Sequence, residues 1–307
     1  GMHRAKTWLR RYGRPLENAR WEFLFEQGSK DAVLYYLQAF QNEDGGFGHG
    51  LEPDFWLPDS SSMTTWAAGQ ILVEVGASQG EPIVQGLLSY LVDTPQIRPG
   101  MWPSVLPENN LYPHAPWWHF EENAQAGWMF NPSVELASFL IHWSPEESRE
   151  AFLGWESLDH AVDHVMRAPS MERHELNNYR KCLTLLRVHK ERFDAQMEYS
   201  FAEVESKIHA LTKGVIDKDV SNWGRGYRPL PLDFIHSPDD PLYPELKELV
   251  DQNLRFYQDQ KTDDGIWNIS WNWGQYLEEF AVARRYWQGI LAVERYKILK
   301  AFGEELS

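Results

Sequence analysis

Three separate segments of the chain contain the residue types that general acid–base chemistry uses. GLEPDFWLPD (50–59) has carboxylates on both sides of a proline, PHAPWWHFEEN (113–123) places histidines and tryptophans beside acidic residues, and WNWGQYLEEF (271–280) repeats the aromatic–acidic combination. Carboxylates and imidazoles can exchange protons with a substrate, and tryptophan rings supply a flat apolar surface for binding it. Together these segments predict a site with aromatic walls and several carboxylates.

The predicted site has two groups of residues. Its catalytic acids and bases are Glu52, Asp54, Glu121 and Glu278. Its substrate-binding residues are His114, Trp117, Trp118, His119, Trp271, Trp273 and Arg225. The expected ligand is a small molecule, either a sugar stacked on tryptophan near a carboxylate pair or an apolar isoprenoid-like compound. The mixture of tryptophan with asparagine, histidine and acids favours the sugar.

Each of these residues also has a purely structural interpretation. Acidic residues such as Glu121 and Glu278 suit the first turn of a helix. The aromatic segment 111–120 could be a packed surface loop, and Arg225 could pair with neighbouring acids. Asp44, in the glycine-rich stretch QNEDGGFGHG (41–50), is interpreted as a turn residue.

Two histidines have a spacing that can hold a metal ion. His160 and His164 stand four residues apart in HAVDH, so a helix would place both on one face. The opposite face of that helix is apolar (Trp155, Leu158 and Val162), which puts the histidines in water. The sequence therefore predicts no metal site here.

Neither the cysteine content nor the glycine-rich stretch indicates a cofactor. The single cysteine, Cys182, excludes an internal disulfide and lies in a helical pattern, where we expect a buried, unreactive thiol in a reducing compartment. GGFGHG follows a helical segment rather than a strand, which argues against a dinucleotide site, and no Walker loop is present. We expect no cofactor.

Charge and hydropathy limit the partners. The 307-residue chain carries a formal net charge of −16 and shows no basic stripe, so its field repels a nucleic-acid backbone. No apolar run approaches the roughly 18 residues that a bilayer span needs, and the basic start of the chain has no apolar core of a secretory signal. These features predict a cytoplasmic protein with a small-molecule ligand, without nucleic acid and without a membrane span.

Hydrophobic spacing indicates helices along the whole chain and no convincing strand. The predicted helices cover 16–27, 30–41, 60–76, 81–93, 132–143, 155–167, 172–190, 197–213, 242–260 and 275–303. Ser60–Ser62 supply capping hydroxyls for the third helix, and Asn131–Pro132 place a capping residue before the fifth. The predicted fold class is all-α.

A short phrase recurs at the ends of several apolar helices. It consists of glutamine, glycine and an aromatic residue, and the first two copies are 55 residues apart at their glycines. The spacing leaves room for two degenerate copies before the third. The copies are Gln41-x3-Gly45-x-Phe47, Gln96-x3-Gly100-x-Trp102 and Gln260-x4-Gly265-x-Trp267.

A repeat of about 55 residues has the length of a helical hairpin with one generous loop. Five or six such hairpins would fill residues 1–307 as one domain and could close into an (α/α) toroid, because no hairpin buries its apolar face alone. The phrase would then mark the joints between helices. Helices that follow the joints would run in the same direction, which gathers the loops before them, and the predicted site residues, at one rim.

The phrase resembles the QW repeat of the terpenoid cyclase and protein prenyltransferase superfamily. QNEDGGFG followed by SSSMTTWAAGQIL is similar to the prenyltransferase and squalene-oxidase repeat, in which a Gly-Gly-Phe-Gly turn leads into an inner helix. The resemblance is strongest over about 30–80 and weaker over 254–303. It implies the toroid fold and a structural role for the repeated glutamine and aromatic residues.

The catalytic motifs of that superfamily are missing. The chain has no D-x-D-D run, because DKDV (217–220) lacks the final pair, and DDPLY (239–243) and DDGIW (263–267) do not complete D-D-x-x-D. Cys182 has no nearby aspartate for a prenyltransferase-type zinc site. The resemblance therefore extends to the scaffold and not to the known reactions.

Three interpretations follow. The chain could be an enzyme that works by acid–base chemistry in an aromatic, carboxylate-lined central cavity. It could instead be a binding protein that keeps the ring and the aromatic pocket without catalysis. The third possibility is a scaffold whose concave face binds another protein.

Overall fold

The computed structural model of the protein describes residues 1–306, and within that range it is helical without a β-strand. The extended segments form only isolated β-bridges. The predicted all-α class is confirmed. The α-helices are α1 (Met2–Tyr12), α2 (Pro15–Phe25), α3 (Lys30–Gln38), α4 (Ser62–Glu74), α5 (Pro82–Asp93), α6 (Ala124–Trp128), α7 (Ser133–His142), α8 (Arg149–Arg167), α9 (Arg173–Leu186), α10 (Lys190–Gln196), α11 (Phe201–Val215), α12 (Tyr243–Gln260) and α13 (Leu277–Ala301).

Several helix boundaries differ from the prediction. Helix α1 was not predicted, because its basic sequence buries only a narrow stripe of Ala5, Trp8 and Leu9. Helix α8 begins earlier than predicted, where the Ser148 hydroxyl accepts the Ala151 N–H at 3.1 Å. The predicted cap of α4 is confirmed, since the Ser61 hydroxyl accepts the Thr64 N–H at 3.1 Å. The predicted capping of α7 by Asn131 is wrong by one residue, because Pro132 is the residue that precedes its first turn.

The chain divides into two compact units. Unit 1 comprises Gly1–Tyr36 with the chain from Ile216 onward, and unit 2 comprises Leu37–Val215. In unit 1, α1, α2 and α13 pack on one another. Their core includes edge-on contacts of Tyr296 with Trp21 and with Trp267, at 5.4 and 5.2 Å between ring centroids.

Helix α7 is the centre of unit 2. All of its residues except His142 are buried, and α4, α8 and α9 pack around it. Two contacts show that α4 and α7 run in the same direction. Gln70 of α4 meets Glu135 in the first turn of α7, and further along both segments the Trp143 indole donates to the Ala77 carbonyl at 3.1 Å. Helix α9 is parallel to α7 as well, with Asn178 beside Glu135 and His189, just beyond its end, beside His142.

The three copies of the recurring phrase form the same turn. Each has a glycine with a left-handed backbone: φ is +88° at Gly45, +82° at Gly100 and +75° at Gly265. In each, the N–H three residues before the glycine donates to the carbonyl one residue after it. These bonds join Asn42 to Gly46, Ile97 to Met101 and Thr262 to Ile266, all at 2.8 Å. The prediction that the phrase is a joint is confirmed as local structure.

Two details of the predicted phrase need correction. In the third copy, the position of Gln41 and Gln96 is held by Lys261, so Gln260 lies one residue outside the pattern. The prediction of two degenerate copies between the second and third copies is also wrong. The positions one and two 55-residue periods beyond Gly100 fall inside α8 and α11, not in turns. A fixed period cannot describe helices and loops of unequal length.

Each joint is tied to the helices around it. The Gln41 amide donates to the carbonyl of Ile83 in α5 at 3.1 Å, and the Gln96 amide donates to the Ser157 hydroxyl in α8 at 2.7 Å. Each of these two joints also binds a helix that comes later in the chain. Hydroxyls in the first turns of α4 and α7 accept the N–H groups of the two joint aromatics, Phe47 to Thr65 at 3.0 Å and Trp102 to Ser133 at 2.9 Å.

We predict that Gly45→Ala destabilises the protein by more than about 3 kcal/mol. A Cβ at this position would lie 2.0 Å from the Gly86 carbonyl oxygen, a backbone atom that cannot move freely. Left-handed strain adds about 1–2 kcal/mol. The free energy of unfolding in urea measures the total.

Gly76→Ala is the matched control for this prediction. Gly76 has φ of +70°, but a Cβ there would meet nothing within 4 Å, so only the strain of about 1–2 kcal/mol should remain. An equal decrease in the free energy of unfolding for both variants would show that the close approach at Gly45 is unimportant.

Candidate functional site

Two of the predicted segments meet in unit 2. The Trp56 N–H donates to the Pro113 carbonyl at 2.9 Å, the Ala115 N–H donates to the Asp54 carbonyl at 2.7 Å, and Phe55 forms a β-bridge with His114. We call residues 51–56 and 112–119 the loop cluster. Backbone pairing thus brings together side chains that lie far apart in sequence.

The loop cluster buries charged and ionisable groups together. Glu52, Asp54 and His114 are 8 %, 3 % and 2 % exposed. The Asp54 N–H donates to a Glu52 carboxylate oxygen at 3.0 Å. Buried carboxyls are costly unless they are bound by other groups, and both carboxyls take part in further interactions.

An aromatic stack closes one side of the loop cluster. Trp118 is buried, lies 4.8 Å from the Phe55 ring and stacks almost parallel on Trp128 at 4.6 Å. Its indole N–H has no hydrogen-bond partner. Trp118 is therefore an anchor of the cluster as well as an aromatic surface.

His114 and His119 form a hydrogen-bonded pair. The Tyr112 carbonyl lies 2.7 Å from Nδ1 of His114 and can only accept, so that nitrogen carries a hydrogen. Nε2 of His114 lies 2.8 Å from Nδ1 of His119, and a single hydrogen between them suffices for the bond. His114 is buried and His119 is exposed, so the pair extends from the interior of the loop cluster to solvent.

The remaining predicted residues are more exposed or belong to unit 1. In unit 2, Trp117 is 42 % exposed and Glu121 is exposed. In unit 1, Glu278 and Arg225 are exposed, whereas Trp273 is 2 % exposed. Trp271 is half-buried and meets Trp287 edge-on at 5.2 Å. That all of these residues share one rim stays a prediction.

A second polar cluster, missed by the sequence analysis, lies on helices of unit 2. Glu135 of α7 is buried; one of its oxygens accepts the Asn178 amide of α9 at 2.9 Å, and the Gln70 amide of α4 lies 3.3–3.4 Å from both oxygens. Burial raises the pKa of Glu135, partly offset by Lys181 and by hydrogen bonds from neighbouring side chains. We call Trp66, Gln70, Glu135 and Asn178 the helix cluster.

Glu175, in the first turn of α9, is a second carboxyl with an altered pKa. One oxygen accepts the Phe130 N–H at 2.9 Å and lies 3.7 Å from Nε2 of His164. Burial raises the pKa of Glu175 to about 7, the Phe130 N–H opposes this rise, and the Glu172 charge adds to it. Burial lowers the pKa of His164. Both shifts favour the neutral form, the protonated carboxyl of Glu175 and the unprotonated imidazole of His164.

Unit 1 contains a buried ion cluster that the sequence analysis also missed. Glu17 is 1 % exposed, and its carboxylate accepts from the Arg14 guanidinium at 2.5 Å and lies 3.8 Å from that of Arg20. The Arg14 guanidinium also lies over the Tyr286 ring at 5.3 Å. Removing one member of such a cluster leaves a buried charge uncompensated, so its effect on folding would mask any effect on function.

No predicted site residue lines either of two surface cavities in unit 2. A cavity of about 240 Å³ is lined by Asp159, His160, Val162, Asp163, Glu198 and Tyr199, and one of about 90 Å³ lies between Gln85 and Trp143. His160 is exposed as predicted, whereas His164 is half-buried beside Glu175. Within residues 1–306, no group of three or more His, Cys, Asp or Glu side chains is placed to hold a metal ion.

Cys182 is buried in α9, as expected from its helical pattern. Burial raises the pKa of its thiol, so the nucleophilic thiolate is disfavoured. The same part of the chain that the structure describes has no helix with the length and hydropathy needed to cross a bilayer.

Comparison with protein-family models, with curated proteins and with solved structures found no match to this chain. Its function must therefore be argued from the loop cluster and the helix cluster.

We predict that Glu175→Gln stabilises the protein at pH 8 but hardly at pH 5. A carboxyl with a folded pKa of about 7 against an ordinary value of 4.5 favours folding at low pH, and that contribution is lost as the pH rises through 7. Glutamine does not ionise, so the variant should have a free energy of unfolding about 1–3 kcal/mol higher than the wild type at pH 8. Urea unfolding at both pH values measures it.

Glu156→Gln, an exposed position on α8, serves as the control and should change stability little at either pH. His164 and Glu172 are retained in both proteins. A stability difference for Glu175→Gln that does not vary with pH would contradict the assignment.

Proposed function

We propose that the protein is an (α/α) toroid enzyme that acts on a small molecule by acid–base chemistry. The observation that carries the proposal is the loop cluster, in which buried carboxyls and a histidine pair come together from distant segments. The toroid is inferred from three joints with one geometry and from parallel α4, α7 and α9. The third joint also abuts the start of α1: a Cβ on Gly265 would lie 2.5 Å from the Gly1 carbonyl oxygen.

That last contact is what closure of a repeat array requires. Gly45 follows α3 and abuts α5, and Gly100 follows α5 and abuts α8. Gly265 follows α12 and abuts α1, so the C-terminal hairpin packs on the N-terminal one within unit 1. The resemblance to the terpenoid cyclase and protein prenyltransferase superfamily agrees with a closed ring.

The proposed chemistry uses residues with distinct tasks. Glu52 or Asp54 transfers a proton to or from the substrate, because a carboxyl held in a fixed position can act as general acid or general base. His114 and His119 return that proton to solvent along their hydrogen bond. Trp117 offers exposed ring surface to the substrate, and the buried Trp118 holds the loop cluster in place beneath it.

Both substrate classes named by the sequence remain within this proposal. A sugar would use the aromatic rings as platforms and the carboxyl pair at its glycosidic bond. An isoprenoid-like substrate would use the same rings as apolar walls. The missing D-x-D-D and D-D-x-x-D motifs argue against the known cyclase and prenyltransferase reactions.

A non-catalytic ligand-binding protein is the second candidate. It is favoured by the two surface cavities of unit 2, which are lined by residues outside the loop cluster. Such a protein would need the aromatic surface but not the carboxyl pair.

We predict that Asp54→Asn lowers turnover by about 10²-fold or more, because removing a positioned acid or base typically costs 10²–10⁴-fold. The protein would be incubated with aryl glycosides and with acyclic isoprenoid alcohols and hydrocarbons, and products detected by mass spectrometry. His119→Gln should slow turnover by about tenfold and change its pH profile, since the relay then ends at His114.

Asp59→Asn, an exposed acid of the same segment, is the matched control and should retain activity. Thermal unfolding of each variant shows whether it is folded. Full turnover in both Asp54→Asn and Glu52→Gln would overturn the proposed mechanism. Ligand binding by the wild-type protein without turnover of any compound would favour the second candidate.

A further inference from the structure

Glu175 connects three elements of unit 2. Its carboxyl, in the first turn of α9, accepts the N–H of Phe130 from the connection between α6 and α7 at 2.9 Å. The same oxygen lies 3.7 Å from Nε2 of His164 on α8, and the rings of His164 and Phe130 are 5.3 Å apart. The side chain of Glu175 is 12 % exposed, so protons can reach it from solvent.

The segment that this carboxyl binds also contacts the loop cluster. Trp128, two residues before Phe130, stacks on Trp118 at 4.6 Å with an angle of 6° between the rings. Between Trp128 and Phe130, Met129 has a φ of +50°, which residues with a side chain rarely adopt. Such a backbone persists only where surrounding contacts hold it. We call residues 128–130 the Trp128 segment.

The Trp128 segment depends on the helices for its ionisable neighbours. Residues 124–132 contain no Asp, Glu, His, Cys, Tyr, Lys or Arg. Glu175 binds the segment through the Phe130 N–H, and His164 contacts it through the Phe130 ring. A change in protonation can therefore act on the segment through these two side chains.

Other ionisable groups surround Glu175 and His164. Asp163 acts on His164, and Glu172 and Tyr179 lie close enough to interact with Glu175. Asp163 and Glu172 are themselves paired, with Arg167 and His174 respectively. Helix α7 contributes Glu135, which binds Asn178, about one turn of α9 beyond Glu175.

Protonation of Glu175 favours the present position of the Trp128 segment. A protonated carboxyl still accepts the Phe130 N–H through its carbonyl oxygen. An ionised carboxyl accepts it more strongly, but burial and the Glu172 charge outweigh this effect and raise the pKa of Glu175 to about 7. When the segment moves away and water reaches the carboxyl, its pKa falls toward the ordinary value of 4.5. The closed arrangement thus binds the proton more tightly, and this advantage is lost as the pH rises through 7.

His164 acts in the opposite sense. Burial lowers the pKa of its imidazole, partly offset by Asp163, so the closed arrangement disfavours the charged ring. Acid therefore favours opening through His164 but closure through Glu175. The ordinary pKa of histidine is 6.5, so the effect of His164 lies mainly below that pH, whereas the effect of Glu175 extends to pH 7.

We propose that Glu175 is a proton-operated latch for residues 128–130: its protonated carboxyl holds the segment, with Trp128 stacked on the loop cluster, and its ionisation loosens both contacts. The inference goes beyond the proposed function, because it requires no catalysis at the loop cluster. It concerns a local opening, whereas the stability predicted for Glu175→Gln concerns unfolding of the whole chain.

The experiment measures amide hydrogen exchange of the full chain at pH 6 and pH 8, with each rate divided by the intrinsic rate at that pH. The corrected exchange of the Met129, Phe130 and Asn131 amides should be about three- to tenfold faster at pH 8 than at pH 6. The upper figure follows from a pKa of about 7 when closed and 4.5 when open, and the opposing effect of His164 gives the lower one.

Low concentrations of urea distinguish local opening from unfolding of the chain. A local opening exposes little surface, so exchange in the Trp128 segment should hardly respond to urea. The amides of α7 (Ser133–His142), which are buried at the centre of unit 2, should exchange more slowly and respond steeply.

Three variants test the role of the carboxyl. Glu175→Gln keeps an acceptor for the Phe130 N–H without titrating, so its corrected exchange should not rise between pH 6 and pH 8. Glu175→Ala removes the acceptor and should give fast exchange in the segment at both pH values. Glu156→Gln, exposed on α8, is the matched control and should behave as the wild type. Thermal unfolding shows which variants are folded, and Glu175→Gln remains decisive if Glu175→Ala is not.

The tryptophan stack provides a second readout. In protein labelled with 5-fluorotryptophan, the fluorine resonance of Trp128, assigned with Trp128→Phe, should titrate near pH 7 in the wild type and not in Glu175→Gln. Both readouts are independent of turnover, so failure of the acid–base proposal at the loop cluster would leave them unchanged.

Two outcomes would overturn the inference. One is exchange of the Trp128 segment at the rate and with the urea dependence of α7, which would mean that the segment opens only when the chain unfolds. The other is a rise in corrected exchange from pH 6 to pH 8 that is as large in Glu175→Gln as in the wild type.

Discussion

Each joint glycine lies close to the backbone of a neighbouring helix, and the arrangement of the helices depends on this close approach. Gly45 and Gly100 take left-handed backbones in space that has no room for a side chain, and the aromatic residues after them bind hydroxyls in the first turns of α4 and α7. Each joint thereby fixes both the position and the direction of the helix that follows. Parallel α4 and α7 are the direct consequence.

Parallel helices determine where polar groups can be buried in unit 2. Helices α4, α7 and α9 run in the same direction, and amide groups of α4 and α9 both meet the carboxyl of Glu135 in the first turn of α7. Helix N-termini favour negative charge, which reduces the cost of placing Glu135 and Glu175 there without removing it. The pKa values of Glu135 and Glu175 are raised because burial still disfavours their charged forms.

Sequence reasoning located the joints and the helices because both obey local rules, glycine at positive φ and apolar spacing of 3.6 residues. It also identified Glu52, Asp54 and His114, because polar residues with aromatics in long loops are conspicuous. It missed Glu135 and Asn178, which sit in helices that read as ordinary amphipathic segments; only packing of three helices makes them neighbours. It did not predict α1, because the apolar stripe of this helix is narrow and its burial depends on packing against α2 and α13.

The chemistry-bearing residues lie mostly outside the repeated phrase, and this separation has a physical basis. A joint must keep its glycine, its aromatic and its ties to two helices, so few of its positions can change. The connections between a joint and the next helix carry no such requirement, and 51–56 and 112–119 are both parts of such connections. Backbone pairing and the contact of the Phe55 ring with Trp118 join them. Joints with these requirements can therefore recur along the chain while the connections between them differ in length and sequence.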